Sequence, residues 1–94
     1  MFDNKKYITR GVTAEIPLEL QLLLWKLIGN LSVEKDYLQV FNCSSENGKQ
    51  KIEHIQEEPE YKKEYQLKTD TFFNGKIFVI DDGDHSTMML AEEY

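Results

Sequence analysis

The segment "LQVFNCSSENGKQKIEHIQ", residues 38–56, contains two runs with a two-residue alternation, separated by Asn47 and Gly48. Both of these residues tolerate the positive φ that the preferred two-residue hairpin turn requires. A turn centred there places Glu46 opposite Lys49, so that opposite charges meet across the strands. The same register also pairs Cys43 with Ile52, Phe41 with His54 and Val40 with Ile55. The segment therefore predicts an antiparallel hairpin, with His54 as a half-buried residue of the sheet.

Runs of the same kind continue towards the end of the chain. Residues 61–69, 75–80 and 87–93 are rich in β-forming residues, and turn-forming residues separate them. In "KIFVI" and "TMMLA" successive residues are apolar, which is typical of strands that are covered on both faces. Together with the hairpin, these runs predict an antiparallel meander of about five strands. A further short strand is predicted at residues 5–10, before the hairpin.

Between this short strand and the hairpin, the hydrophobic period changes to that of a helix. The segment "IPLELQLLLWKLIGNL", residues 16–31, has a proline suited to the first turn and Gly29-Asn30 as a stop signal. We expect one amphipathic helix that packs its main stripe on the sheet. That stripe consists of Ile16, Leu20, Leu24, Leu27 and Leu31. The predicted fold class is therefore α+β, with residues 1–94 forming a single domain.

A second apolar stripe, Leu18, Leu22 and Trp25, lies nearly opposite the first at spacing i, i+4, i+7. A helix laid on one sheet needs only a single apolar stripe. One interpretation is that the N-terminal segment or a long loop covers the second stripe. The other is that it forms a homodimer interface or a surface for a protein partner. An exposed apolar patch centred on tryptophan is typical of binding hot spots.

Four polar residues lie within five positions between two apolar runs, namely Asp81, Asp82, Asp84 and His85. A two-residue turn would place Asp81 opposite Asp84, whereas a four-residue loop at 82–85 keeps like charges apart. The wider loop also pairs Val79 with Met88, Phe78 with Met89 and Ile77 with Leu90. A solvated turn is the favoured interpretation, because short carboxylates bond nearby backbone amides and glycine accepts positive φ. The alternative is a metal or acid–base site, although the spacing does not match a calcium loop.

The charge of the chain is unevenly distributed. The net charge is -6, and residues 69–94 contribute six acids against a single lysine. Such a surface repels phosphate, so neither nucleic acid nor an anionic membrane is expected as a partner. An acidic mimic of nucleic acid, directed at a DNA-binding protein, remains as an alternative function.

The N-terminal residues carry charges where a secretion signal needs an apolar stretch, and no apolar run is long enough to span a membrane. The single cysteine, Cys43, has no partner for an internal disulfide and is expected to be a core residue. These features favour a cytoplasmic protein without a cofactor.

Four blocks, "KKYITRGV", "IPLELQLLLW", "DYLQVF" and "GKIFVIDDGDHSTMMLAEEY", resemble the bacterial family called domain of unknown function 960. The blocks run from one end of the chain to the other. The resemblance implies a small cytosolic protein of Gram-positive bacteria, with members also on phages and other mobile elements. It implies no activity, cofactor or catalytic residue.

The leading hypothesis for function is a non-enzymatic protein-interaction module. It would act through Leu18, Leu22 and Trp25, as a homodimer or with another protein. The alternative from a different class is a metal-dependent or acid–base enzyme that uses the cluster between Asp81 and His85.

Overall fold

A six-stranded sheet forms the framework of the protein in the computed structural model, which describes residues 1–94. Its strands are β1 Lys5–Ile8, β2 Leu38–Glu46, β3 Lys49–Gln56, β4 Tyr61–Lys68, β5 Gly75–Asp81 and β6 His85–Leu90. Their spatial order is β1-β6-β5-β2-β3-β4. The β1 strand runs parallel to β6, and all other neighbours are antiparallel.

The prediction of a simple meander needs correction between β4 and β5. After β4 the chain crosses back, and β5 pairs with the free edge of β2 instead of with β4. The composition of the two strands explains this order. Ile77 and Val79 of β5 are fully buried, which requires an interior position, whereas β4 has no buried residue. Lysine-rich strands such as β4 are suited to a sheet edge.

Both predicted hairpin registers are confirmed. The pairs Glu46–Lys49, Cys43–Ile52, Phe41–His54 and Val40–Ile55 all occur between β2 and β3. Asn47 and Gly48 have φ values of 52° and 76°, as the turn type requires. The pairs Val79–Met88, Phe78–Met89 and Ile77–Leu90 occur between β5 and β6.

Two helices, rather than the one expected, precede the β2–β3 hairpin. The predicted helix is α2, Leu18–Gly29, and a shorter helix, α1, covers Arg10–Glu15. Thr9 caps α1, because its Oγ1 accepts a hydrogen bond of 3.3 Å from the Val12 amide. A 3-10 helix, Ala91–Glu93, follows β6. Neither α-helix is long and apolar enough to cross a membrane.

The two helices and the sheet enclose a single apolar cluster of 14 residues. The helices contribute Val12, Leu20, Leu24 and Ile28 to it. We call the sheet face that joins this cluster the inner face, and its centre is formed by Phe41, Ile52, Ile77, Val79 and Met88. The opposite face is called the outer face. Cys43 belongs to the cluster as expected, and burial raises the pKa of its thiol to about 12.

Part of the inner face is polar, which the sequence did not lead us to expect. His54 is fully buried rather than half-buried, and its ring stacks on Phe41 with centroids 4.4 Å apart. Its Nε2 lies 2.7 Å from Gln39 Oε1, and Gln39 Nε2 in turn donates to Gln56 Oε1 at 2.6 Å. Gln56 donates to the carbonyl groups of Glu34 and Pro59. Buried hydrogen bonds therefore fix the loops at this end of the sheet.

Candidate interaction surface

The side of α2 that faces away from the sheet carries two exposed leucines. Leu18 is 66% exposed and Leu22 is 60% exposed, and the two lie one helical turn apart. Neither the N-terminal segment nor a loop covers them to any large extent. Because Leu20, Leu24 and Ile28 take the buried face of the helix, these leucines contribute little to the core of the protein.

Trp25, the third residue of the predicted stripe, lies in a different environment. Its ring is half-buried and packs against the core cluster. The Nζ of Lys6, on β1, lies 5.6 Å from the ring centroid, within the range of a cation–π contact. The first strand therefore covers part of Trp25 but leaves the two leucines open. The three residues lie on one side of α2, with Trp25 at its border.

Two opposite charges flank the exposed leucines. Glu19 and Lys26 are both exposed, and both lie within about 60° of Leu22 around the helix axis, on the same side of it. Glu19 precedes Leu22 by about 4.5 Å along the axis, and Lys26 follows it by about 6 Å. Neither residue forms an ion pair within the chain. Both charges are therefore free for a contact with another molecule.

The acidic turn between β5 and β6 divides into two separate groups. Asp81 is only 8% exposed and alternates along β5 with Ile77 and Val79 of the inner face. Its carboxylate accepts hydrogen bonds from the Phe2 amide at 2.6 Å, the Gly83 amide at 2.8 Å and Asn4 Nδ2 at 3.0 Å. Burial opposes its ionisation, but the bonds from Phe2, Gly83 and Asn4 outweigh this effect and lower its pKa. Asp81 thus attaches the N-terminal segment to the sheet.

The remaining residues of the turn stabilise its tip. Asp82 Oδ1 accepts hydrogen bonds of 3.1 Å from the amides of Asp84 and His85, and His85 Nε2 lies 3.1 Å from Asp82 Oδ2. Asp84 is exposed. No group of three or more histidine, cysteine, aspartate or glutamate side chains is arranged to hold a metal ion. The structure thus brings Asp82 and His85 together but places the Asp81 carboxylate among backbone and amide donors.

Sequence reasoning missed the outer face of the sheet as a surface of interest. Partly exposed apolar residues occupy it on four adjacent strands, and neither helix packs there. They are Leu38, Val40, Ile55, Phe78, Ile80 and Met89. The signal was present in "KIFVI" and "TMMLA", whose consecutive apolar residues require cover on both faces. We call these six residues the outer apolar patch.

Comparisons with known proteins place the chain in a family. The family model described as "Staphylococcal protein of unknown function (DUF960)" matches residues 5–93. A crystal structure of a protein of unknown function from Enterococcus faecalis is similar, with a TM-score of 0.87 and 26% sequence identity. The match covers 98% of this chain and 92% of that chain. None of the curated proteins matches the sequence. The resemblance noted in the sequence is confirmed, and the chain belongs to the DUF960 family of staphylococcal proteins of unknown function.

Proposed function

We propose that the protein is a non-enzymatic protein-interaction module that forms a homodimer through α2. The observation that carries this proposal is the exposure of Leu18 and Leu22, at 66% and 60%, on a well-formed helix. Adjacent exposed leucines on a helix are costly in water, since burial of one such side chain is worth roughly 1.5–3 kcal/mol. A second copy offers the same two leucines, so a two-fold contact buries four of them at once.

The charges beside the leucines fit a second copy. Two α2 helices can pack antiparallel about a two-fold axis near Leu22. Residues on the N-terminal side of Leu22 in one copy then lie opposite residues on the C-terminal side of Leu22 in the other. Glu19 of one copy then lies opposite Lys26 of the other, and the symmetry repeats this pair. Exposed pairs of this kind add little affinity, but they favour the antiparallel orientation, because in a parallel two-fold pairing the Glu19 and Lys26 side chains of the two copies lie on opposite flanks of the interface and do not meet.

The contact extends beyond α2 to the first strand. Ile8 is 41% exposed and lies on the same face of β1 as Lys6, which contacts Trp25. A stable interface needs about 800 Å² of surface from each partner, more than two leucines supply. Ile8 and the exposed part of Trp25 enlarge the apolar area beside Leu22. We therefore expect the interface to include both α2 and β1.

Sedimentation velocity on the wild-type protein and on Leu22→Glu tests the proposal. We expect a wild-type dimer and a mutant monomer, because a glutamate from each copy would be buried at the two-fold axis, where the two like charges repel. Leu22 contributes little to the core, so circular dichroism should show an unchanged fold. A wild-type protein that stays monomeric at high micromolar concentration would contradict the proposal.

A charge-swap series gives a sharper test of the antiparallel arrangement. Glu19→Lys and Lys26→Glu each place like charges opposite one another in the dimer, and both should weaken it. The double variant Glu19→Lys with Lys26→Glu restores opposite charges and should recover wild-type association. If the double variant dimerises no better than the single variants, Glu19 does not face Lys26 of the second copy.

A further inference from the structure

The outer apolar patch forms an ordered array across the middle of the sheet. Met89, Phe78, Val40 and Ile55 are successive cross-strand partners, and they form one row over β6, β5, β2 and β3. Ile80 and Leu38 are paired in the adjacent row. Each of these side chains is partly exposed, whereas the residues between them on the inner face are buried by the helices. One face of the sheet is thus covered by helices, whereas on the other face the exposed Tyr94 contacts Phe78, with ring centroids 5.6 Å apart, and the patch stays partly open.

The dimensions of the patch suit a single helix. Four strands at a spacing of about 4.8 Å place the ends of the longer row about 14 Å apart, and the two rows lie about 7 Å from each other. An α-helix of about ten residues is 15 Å long and about 10 Å wide, which matches this footprint. The inner face of the same sheet is already covered by a helix of 12 residues, α2. A helix is therefore a suitable partner for the outer face.

One end of the sheet is strongly acidic. Because β3 and β5 both run antiparallel to β2, their C-terminal ends lie at the same end of the sheet, about 10 Å apart. The turns that follow them and the segment before β2 meet there, as shown by hydrogen bonds from the Glu58 amide to Asp36 and from the Asp81 amide to Tyr37. Segments 34–36, 57–60 and 81–84 together contain eight carboxylates and one lysine, Lys35.

The acidic end adjoins the outer apolar patch. Ile80 is followed directly by Asp81 and the exposed Asp82, and Ile55 lies two positions before the exposed Glu57. A ligand that lies along the longer row of the patch therefore meets negative charge along one side. Carboxylates grouped beside an apolar surface attract a partner segment that combines apolar residues with positively charged side chains. They repel acidic partners.

From this geometry we infer that the outer apolar patch docks an amphipathic helix of a partner protein, with lysine or arginine residues along the side of the helix that faces the acidic turns. The apolar face of the helix lies across the strands and covers Phe78, Val40 and Ile55, and its basic side faces the turns after β3 and β5. A second copy of this chain suits the patch less well, because α2, its only helix of more than six residues, carries one lysine and no arginine. This surface lies on the opposite side of the sheet from α2, so the inference does not depend on the proposed homodimer.

The test uses a synthetic 18-residue peptide of leucine and lysine, with leucines at i, i+3, i+4 and i+7 and lysines grouped along one side of the leucine face. Titration into the full-length protein, followed by two-dimensional NMR, should shift amide signals of Val40, Ile55 and Phe78. A peptide of the same composition in scrambled order is the control for charge alone. Binding of the amphipathic peptide should weaken steeply with added salt, because grouped charges contribute to it.

Matched variants locate the site. Ile55→Lys removes apolar surface from the patch and adds a repelling charge, and it should weaken binding by about tenfold or more. Phe72→Lys makes the same kind of change in the loop between β4 and β5, where Phe72 is 37% exposed, and should leave the affinity unchanged. Glu57→Gln with Asp84→Asn should weaken binding several-fold and reduce its salt dependence. Circular dichroism checks that each variant is folded.

Several results would overturn the inference. They are equal binding of the scrambled peptide, shifts confined to α2, loss of affinity in Phe72→Lys equal to that in Ile55→Lys, and no saturable binding up to millimolar peptide. Concentration-dependent shifts of Phe78 and Val40 without peptide would assign the patch to a second copy instead.

Discussion

Acidification from pH 7 to pH 5 is expected to destabilise the protein mainly through His54. Gln39 Nε2 donates to Asp36 O and Gln56 Oε1, so Gln39 Oε1 is left to accept the Nε2–H of His54. The other ring nitrogen, Nδ1, is buried and has no hydrogen-bond partner. A second proton on the ring would therefore be buried without an acceptor, next to the aromatic ring of Phe41.

The magnitude follows from the change in pKa. Burial lowers the pKa of His54 from 6.5 to about 4. Between these values the unfolded chain binds a proton that the folded chain does not, so the free energy of unfolding falls as the pH falls from 6.5 to 4. The linkage relation gives a loss of about 2 kcal/mol between pH 7 and pH 5. Carboxyl groups with a lowered pKa, such as Asp81, lose their contribution mostly below pH 5.

Urea unfolding at pH 7 and pH 5 measures this loss. His54→Gln keeps a donor for Gln39 but cannot titrate, so its free energy of unfolding should change by less than about 0.5 kcal/mol over the same interval. His85→Gln changes the partly exposed histidine of the acidic turn and should retain the wild-type loss. If His54→Gln loses as much stability as the wild-type protein, protonation of His54 is not the cause and the reasoning is wrong.

Four further predictions concern single residues or the acidic turn. Cys43 should react with a thiol reagent only after denaturant is added, because burial raises its pKa to about 12; rapid labelling of the native protein would contradict this. Asp81→Asn should lower the free energy of unfolding by roughly 1–3 kcal/mol in urea titrations, since three donors lose their shared carboxylate, whereas Asp84→Asn should change it by less than about 0.5 kcal/mol. Gly48→Ala, at a φ of 76°, should cost about 1–2 kcal/mol in the same assay, and a neutral effect would show that the turn relaxes. Calorimetric titration with Mg²⁺, Ca²⁺ and Zn²⁺ should give no binding heat, because the Asp81 carboxylate is already bound by the protein; heat that disappears in Asp82→Asn would instead favour the metal site.

Local patterns in the sequence predicted the local structure well. The β2–β3 register followed from one turn dipeptide and from the charges beside it, and the β5–β6 register followed from matching apolar residues. The main stripe of the helix was visible because its five apolar residues repeat at helical spacing. The α1 helix gave no comparable signal, since six residues with one buried side chain, Val12, show no period. Its cap, Thr9, was the available clue.

Long-range pairing and the burial of polar residues were harder to predict. The return of β5 to the edge of β2 depends on which strand needs an interior position, and periodicity within each strand does not specify its neighbour. The burial of Asp81 and His54 was nevertheless encoded, because Asp81 alternates with Ile77 and Val79, and His54 alternates with Ile52. Except for the Gly83 amide, their hydrogen-bond partners lie in distant segments, so the sequence alone did not show how burial of these polar side chains could be tolerated.

The pairing of β1 with β6 has a consequence for synthesis of the protein. Lys5 pairs with His85, 80 positions further along the chain, and β1 has no other strand partner. At ordinary elongation rates, about 4 to 16 s separate the synthesis of these two residues. During that time the β2–β3 hairpin, whose contacts are local, can form on the ribosome, while Lys6 and Ile8 still lack the β6 strand beside them. We therefore expect the nascent chain to expose Trp25 and the N-terminal segment until the last strand emerges, which makes this interval the period in which a chaperone would bind.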